Sequence, residues 1–242
     1  MADVLQKIIA DSGLVSRRHA ELLIRKGMVK LNGKAAQLGD RADLAKDKVT
    51  VSGKPLAPLP EKTYLKLNKP IGYACSNRLF PGEDNIFQLV KTDIRLFSIG
   101  RLDKNSRGLI ILTNDGGITQ QLSHPRFSHK KVYIIKADKG DRQNISFKDG
   151  GKICTALKKG VEIGGGDGVV RAKESQYLEN NSFKLVLTEG KKRQIRRMFS
   201  ALKLRVYDLK RIEFAGIRLD GLEEGAVKPL TDKEINYLKN KK

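Results

Sequence analysis

One acidic residue stands out because of the sequence around it. Asp103 lies in the segment GRLDKNSRG (residues 100–108), which precedes the apolar run Leu109–Leu112. A carboxylate between glycines, just before a run of strand length, can be fixed at the edge of a cleft. We therefore take Asp103 as the candidate catalytic residue. The residues alone also allow a surface ion pair between Arg101 and Asp103, and such pairs contribute little to stability.

Two later segments contain further candidates. A strand is predicted over KKVYII (residues 130–135), and its alternation places Tyr133 on the same face as Lys131 and Ile135. A strand tyrosine is by itself more often a packing residue than a catalytic one. Further on, five of the seven residues from Lys191 to Arg197 are cationic. A solvated helix face usually includes acids as well, so this segment favours an anionic partner.

The overall charge points to the same class of partner. The 242 residues include 48 Lys and Arg against 27 Asp and Glu, which gives a formal net charge of +21. A polyanion is the simplest reason for such an excess. The chain has no apolar run of about 18 or more residues and no dominant basic amphipathic helix, so we expect no membrane partner. Its first residues lack the layout of a signal peptide, which predicts a cytosolic protein.

The cysteines, histidines and glycines predict no metal site or nucleotide site. Cys75 and Cys154 have neither the number nor the spacing of a disulfide framework or a zinc site, and we expect both to be small core residues. The three histidines are scattered: His19, His124 and His129. The run GGGDG (residues 164–168) lacks the dinucleotide and Walker spacings. It predicts a hairpin loop between strands at residues 160–163 and 169–172.

The N-terminal residues predict a helix-turn-helix followed by a small sheet. Ser16 is typical of a helix N-cap, and the helix over residues 17–26 ends at Gly27. Short strands are predicted at residues 28–31 and 48–51, the first closed by Asn32-Gly33.

Three prolines mark a domain boundary. Pro55, Pro58 and Pro60 predict a stiff, extended connection. We assign residues 1–57 to a first domain, 58–62 to a linker and 63–242 to a second domain. Beyond the linker, strands and short helices do not alternate as in a doubly wound sheet. The sequence therefore predicts an α+β fold whose second domain has a mixed, mainly antiparallel sheet.

Three motifs of the second domain resemble those of pseudouridine synthases. Residues 100–116 are similar to the family's GRLDxxTxGLLLLTNDG, with Ser106 standing where Thr is more usual. Lys131-x-Tyr133 resembles its Lys-x-Tyr, and EGKKRQIRRM (residues 189–198) resembles its EGKxRQIRRM. The order of the motifs is similar to that of the branch that modifies ribosomal RNA and carries an N-terminal S4 domain. Asp84-Asn85-Ile86 and the lysine after Asp103 look more like the large-subunit enzymes of the RluF type.

The first domain resembles the S4 (αL-type) RNA-binding domain. The matching residues are Ser16, Arg17, Arg18, Ala20, Gly27, Val29, Asn32 and Gly33. Arg17 and Arg18 begin a helix, where two cations oppose the helix dipole unless an anion lies nearby. A phosphate of RNA would supply that anion. The alternative is two solvated arginines on an exposed turn.

The resemblance implies a role for each site residue. Asp103 would be the ionised nucleophile that attacks a uridine, and Arg196 would pair with it. Tyr133 would stack on the uracil ring and help to remove the proton from carbon 5. Ile195 would line the pocket, and Arg101 would occupy the space left by the flipped-out base. Further cations would line the RNA path: Lys191, Arg193, Arg197, Lys203, Arg205, Lys210 and Arg211. The reaction is an isomerisation, so no cofactor is expected.

Several alternatives stay open at the level of the sequence. The resemblance favours 23S ribosomal RNA, free or in an assembling subunit, but 16S ribosomal RNA and transfer RNA are also possible substrates. A non-catalytic RNA-binding or ribosome assembly protein is the main rival, and an RNA glycosylase that releases uracil is a third interpretation. The intact set of Asp103, Tyr133 and Arg196 speaks against the non-catalytic protein. We expect a monomer, and the lysine-rich residues 233–242 could form a terminal helix or an RNA-binding extension.

Overall fold

The chain forms two compact units. The computed structural model describes residues 2–77, 81–140 and 143–240. The first unit comprises the chain up to Thr63 together with Thr92–Phe97 and Thr113–Gly116. The second comprises Tyr64–Lys91, Ser98–Leu112 and the chain from Gly117 onward.

The first unit is built from two short helices and six short strands. Its elements are β1 (Asp3–Val4), α1 (Leu5–Asp11), α2 (Arg17–Arg25), β2 (Val29–Leu31), β3 (Lys34–Ala35), β4 (Arg41–Ala42), β5 (Val49–Val51) and β6 (Lys54–Pro55). Strands in the order β3-β2-β5-β6 form one sheet, and β1 pairs with β4. The Ser16 hydroxyl caps α2 by accepting a hydrogen bond from the His19 amide at 3.2 Å. The predicted second helix and both predicted strands are confirmed, with ends that differ by one residue.

The second unit contains a large sheet with helices packed against it. Its strands are β7 (Tyr64–Lys69), β8 (Phe97–Ile99), β9 (Arg107–Thr113), β10 (Lys131–Asp138), β11 (Val161–Glu162), β12 (Val169–Val170), β13 (Glu174–Tyr177), β14 (Ser182–Leu187), β15 (Arg205–Phe214), β16 (Ile217–Arg218) and β17 (Val227–Pro229). Its helices are α3 (Gly116–Ser123), α4 (Phe147–Lys159), α5 (Gln194–Ala201) and α6 (Asp232–Asn240), with 3-10 turns at Ile86–Leu89 and Pro125–Phe127.

The strand order confirms the α+β fold. The central path of the sheet is β13-β14-β10-β15-β9-β7-β17, with β16 beside β15 and β8 beside β9. Most pairs are antiparallel, whereas β9 and β15 run parallel. The run Leu109–Leu112 lies in β9 and is fully buried, as a central strand requires. The polar segment that contains Asp103 therefore leads directly into the centre of the sheet.

Smaller predictions have mixed outcomes. The glycine-rich run is a hairpin loop between β11 and β12, as predicted, although both strands are shorter. Cys154 is a buried core residue, but Cys75 is only partly buried. The lysine-rich C-terminal residues form α6, whose Leu238 is fully buried, so the terminal helix is the correct alternative as far as Asn240. Within the described ranges, the structure contains no helix with the length and apolarity to span a bilayer.

Gly108 is required where β9 meets β15. Its φ is +106°, and a Cβ placed there would lie 2.2 Å from the carbonyl oxygen of Arg211. We expect Gly108→Ala to lower the free energy of unfolding by at least about 2 kcal/mol, since both the backbone conformation and the contact disfavour a side chain. Urea unfolding measures this change.

Gly151 provides the matched control for Gly108. It lies in α4, and a Cβ there would meet nothing within 4 Å. We expect Gly151→Ala to raise stability by up to about 1 kcal/mol. Equal stability of the Gly108→Ala variant and the wild type would contradict the close contact between β9 and β15.

Candidate active site

A cavity in the second unit brings the predicted catalytic residues together. Its volume is about 270 Å³, and Asp103, Tyr133 and Arg196 all line it. Four predicted substrate-binding residues also line it: Arg101, Lys191, Arg193 and Ile195. The size suits a small ligand such as a single base, being slightly below the range of drug-sized pockets.

Contacts from three residues of one segment, residues 69–75, hold the loop that carries Asp103. The Lys69 ammonium, whose residue is completely buried, donates to the carbonyl oxygens of Ser106 at 2.6 Å and Lys104 at 3.2 Å. The Gly72 amide also donates to the Lys104 carbonyl, at 2.9 Å. The Leu102 amide donates to the Cys75 sulfur at 3.4 Å. Because main-chain atoms are fixed on both sides of Asp103, its side chain is left to face the cavity.

Burial and charge act in opposite directions on Lys69. Burial lowers the pKa of the ammonium, while the charge of nearby Asp103 raises it. Cys75 itself has a raised pKa, chiefly because of its burial, so its thiol stays protonated near neutral pH.

Arg196 contacts the Asp103 loop through a carbonyl group. Its guanidinium donates to the Asn105 carbonyl at 2.6 Å and to the Val206 carbonyl at 2.9 Å. The direct ion pair expected with Asp103 is not formed, since no Arg196 nitrogen lies within 4.0 Å of an Asp103 oxygen. The pKa of Arg196 is lowered by burial and by Arg193, whereas Asp103 and Asp208 raise it. The Arg196 Nε is buried and has no hydrogen-bond partner among the described residues.

A β-bulge determines where Tyr133 lies. Val132 pairs with Glu213, whereas Tyr133 pairs with Arg211, so one residue of β15 is skipped. Bulges of this kind redirect side chains next to active sites. Tyr133 is 8% exposed and packs in the same apolar cluster as Ile135, as the alternation predicted.

The basic segment at the start of α5 forms a tight turn and also contacts the β11–β12 hairpin. Arg193 has a left-handed backbone, with φ +52°, at the start of α5. The Gln194 amide bridges this turn, because its oxygen accepts from the Lys191 amide at 2.9 Å and its nitrogen donates to Glu189 at 2.8 Å. The Lys191 ammonium donates to the carbonyl of Asp167 in the β11–β12 hairpin.

Six predicted RNA-binding residues lie outside the cavity: Arg17, Arg18, Arg197, Lys203, Arg205 and Lys210. Arg197 is bound to the β11–β12 hairpin, donating to Asp167 at 2.5 Å, to the Ile163 carbonyl at 3.0 Å and to the Gly164 carbonyl. Arg17 and Arg18 are exposed and belong to the first unit.

Arg211 differs most from the sequence prediction. It was expected on an exposed RNA path, but it is 2% exposed and lines the cavity. Its Nε donates to the Leu109 carbonyl at 2.8 Å, and its guanidinium carbon lies 4.9 Å from the centre of the Phe214 ring. Alternation places Arg211 on the face of β15 that carries Leu209, which is the buried face.

Similarity to known proteins identifies the family. Residues 63–201 match the family model of RNA pseudouridylate synthases, and residues 5–49 match the S4 domain model. The chain belongs to the RNA pseudouridylate synthase family. It is 34% identical to ribosomal large subunit pseudouridine synthase B of Bacillus subtilis, over 97% of this chain and 95% of that protein.

Two further likenesses agree with this assignment. The chain is 34% identical to the dual-specificity RNA pseudouridine synthase RluF of Escherichia coli, over 96% of this chain and 76% of that protein. A crystal structure of a pseudouridylate synthase superposes with a TM-score of 0.68 at 29% identity, covering 97% of this chain and 99% of that one. The protein is thus an RNA pseudouridine synthase with an N-terminal S4 domain, and the resemblance deduced from its motifs is confirmed.

Two site residues of this pseudouridine synthase escaped the sequence analysis. Lys69 is the last residue of β7, and the sequence analysis gave it no role. Arg211 was one of many cations. Hydrophobic periodicity does not predict the burial of a lysine such as Lys69. The alternation of β15, in contrast, could have identified Arg211 as a buried residue. Within the described residues, no cluster of three or more His, Cys, Asp or Glu forms a potential metal site.

Lys69 is a positioning residue whose role can be tested. We expect Lys69→Met to lower the free energy of unfolding by about 2 kcal/mol, since two carbonyl groups beside Asp103 lose a charged donor. We also expect a fall of at least about tenfold in the single-turnover rate of uridine isomerisation, with RNA affinity changed less than about threefold. Urea unfolding, single-turnover kinetics and RNA binding measure the three quantities.

Lys104 serves as the control for Lys69. It is exposed, and its ammonium lies 3.1 Å from Glu83. Lys104→Met should change stability by less than about 0.5 kcal/mol. An unchanged rate in Lys69→Met would show that the loop keeps its position without the buried ammonium.

Proposed function

We propose that this pseudouridine synthase isomerises one uridine of 23S ribosomal RNA, with Asp103 as the nucleophile. The observation that carries the proposal is that Asp103, Tyr133 and Arg196, one from each family motif, line a single cavity. The choice of RNA rests on the relatives, of which one is named as a ribosomal large subunit enzyme. Ribosomal RNA as substrate would place the reaction in the cytoplasm.

The proposed reaction begins when the target uridine leaves its stack. The base enters the cavity and lies against Tyr133, while the exposed Arg101 at the rim takes the vacated space. Extrusion costs a few kcal/mol, which contacts between the protein and RNA must offset. The Asp103 carboxylate attacks, and the C1′–N1 bond breaks.

The uracil then turns within the cavity. Carbon 5 bonds to C1′ as the bond formed by the Asp103 carboxylate breaks, the proton on carbon 5 leaves, and N1 gains a proton, so the RNA keeps its mass. Tyr133 is placed to support the base and to help remove that proton. Arg196 supports the step by holding the Asn105 carbonyl of the Asp103 loop, and Ile195 closes the cavity beside the base.

We further propose a division of labour between the domains. Residues 1–57 act as the S4 RNA-binding domain, 58–62 as a linker and 63–242 as the catalytic domain. Arg17 and Arg18, exposed at the start of α2, would contact phosphates, and Arg193 and Lys191 would guide the RNA at the cavity. Arg197 would support this path indirectly, through the hairpin that it holds. We expect the protein to act as a monomer, since its proposed site is contained in one chain.

Asp103→Asn tests the nucleophile. A carboxamide lacks the negative charge that attack requires, so we expect no detectable isomerisation and an RNA affinity within about threefold of the wild type. The measurement is pseudouridine mapping of all cellular RNA in a strain that lacks the gene and is rescued with either protein. One site that returns only with the wild type would identify enzyme, nucleophile and substrate together.

The exposed Asp93 provides a matched control for this test. Asp93→Asn makes the same chemical change outside the cavity and should restore the site fully. Restoration by Asp103→Asn would disprove the assigned nucleophile, and release of free uracil by the wild type would favour a glycosylase.

Substitution of Arg17 and Arg18 by alanine tests the RNA-binding role of the first domain. If each side chain contacts a phosphate, the slope of log affinity against log salt should become shallower by about 1.4 to 1.8 in total. Titrations of labelled 23S ribosomal RNA transcript at several salt concentrations measure this slope. Lys228 and Lys233, exposed in the second unit, provide a pair of equal charge. If alanine at Lys228 and Lys233 made the slope equally shallow, the effect would come from net charge and not from phosphate contacts of Arg17 and Arg18.

A further inference from the structure

A pair of cations lies deep in the cavity beside Tyr133. Arg211 is directly opposite Tyr133 in the pairing of β10 with β15, and Lys131 precedes Tyr133 by two residues on the same face. Both cations line the cavity together with Asp103. The Lys131 ammonium lies 5.9 Å and the Arg211 guanidinium carbon 4.9 Å from the centre of the same Phe214 ring.

The structure neutralises this pair only in part. The Lys131 ammonium donates to the His129 carbonyl at 3.2 Å, and Arg211 donates to a carbonyl as well. The Arg211 Nη2 is buried and has no hydrogen-bond partner among the described residues. A buried donor without a partner costs about 1–3 kcal/mol. Arg211 lines the cavity although it is only 2% exposed, so a ligand in the cavity lies against a guanidinium that is shielded from solvent.

The carboxylates that line the cavity do not remove this excess charge. They are Asp103 and Glu189, and the Glu189 oxygen already accepts from Gln194 at 2.8 Å. Burial and the Arg211 charge lower the pKa of Lys131 to about 8, although Glu189 raises it. The two cations therefore repel each other in a partly desolvated space.

The depth of the pair indicates which part of the nucleotide it meets. Arg101 and Arg193 are exposed at the rim, where phosphates can reach them. Lys131 and Arg211 instead flank Tyr133, on which the base is proposed to lie. A base that lies on this ring would share the cavity with both cations.

We propose that Lys131 and Arg211 bind a carbonyl oxygen of the uracil and stabilise the negative charge that the base acquires when the C1′–N1 bond breaks. This inference rests on the proposed function. The electron pair of the broken bond stays with the base and is delocalised onto its carbonyl oxygens. It returns to C1′ when carbon 5 forms the new bond, so the step needs no other reactant. Fixed cations in a desolvated site stabilise such developing charge strongly.

Lys131→Met tests the proposal with two leaving groups. The substrates are 23S ribosomal RNA transcripts made with UTP or with 5-fluoro-UTP, and the readout is single-turnover loss of the N-linked nucleoside at the mapped site. Fluorine stabilises the departing base by itself, so cleavage then depends less on the cations. We expect Lys131→Met to lower the single-turnover rate about 10–100-fold with the uridine substrate. With the 5-fluorouridine substrate the rate should fall less than about fivefold.

The charge-conserving variant supplies a second readout. The wild-type kcat/KM for uridine should fall about tenfold between pH 7 and pH 9, because the Lys131 ammonium loses its proton in this range. In Lys131→Arg this decline should disappear. Arg211 and Glu189 face Lys131. The wild type and Lys131→Arg share all other titratable side chains of the cavity, so a difference between their pH profiles reports on position 131. These side chains are Arg101, Asp103, His124, His129, Tyr133, Lys191, Arg193 and Arg196.

Lys136 serves as the control in both experiments. It lies on the same strand, is exposed and is not part of the cavity. Lys136→Met should behave as the wild type, and the Lys131→Met protein should unfold at an equal or higher temperature, because it loses a repelled, partly buried cation.

Two results would overturn the proposal. An equal slowing of the two substrates in Lys131→Met would show that the cation does not act on the leaving base. A loss confined to RNA affinity would show that Lys131 contacts a phosphate. If wild-type protein isomerises no uridine, the proposed function fails instead, and the two failures are thus distinguishable.

Discussion

The cations around the cavity are held by main-chain carbonyl groups. The residues concerned are Lys69, Lys131, Arg196 and Arg211. A carbonyl dipole stabilises a cation without cancelling its charge, whereas an ion pair would neutralise it. The cavity therefore keeps an excess of positive charge around Asp103, which suits a substrate that carries or develops negative charge.

The same contacts make the Asp103 loop rigid. Lys69 from the end of β7 and Arg196 from α5 bind carbonyl groups of the residues that immediately follow Asp103. The loop continues into β9, whose contact with β15 requires Gly108 to have no side chain. An acid fixed in this way needs little reorganisation before it reacts, and such preorganisation is a main source of catalytic rate.

The basic residues from Lys191 to Arg197, around the start of α5, divide their charges between structure and the cavity. Arg197 and Lys191 hold the β11–β12 hairpin through Asp167, while Arg193 and Arg196 line the cavity. A glycine-rich hairpin can pack closely around a guanidinium because its residues leave carbonyl groups accessible. A run of neighbouring cations can therefore form an ordered turn, because Asp167 and the hairpin carbonyl groups offset part of its charge.

The sequence by itself indicated the α+β class and the candidate residue Asp103, because turn residues and alternation are properties of neighbouring residues. Its resemblance to pseudouridine synthases and S4 domains indicated the family, the two domain types and the further candidates Tyr133 and Arg196. Tertiary structure alone decided the roles of Lys69, Arg197 and Arg211 and replaced the expected pair of Arg196 and Asp103 by a carbonyl contact. The partners of these cations are distant in the chain, by 37 residues for Lys69 and Ser106 and by 102 for Arg211 and Leu109. Whether a cation meets solvent, a carbonyl group or a carboxylate depends on which strands become neighbours, and the sheet order sets that.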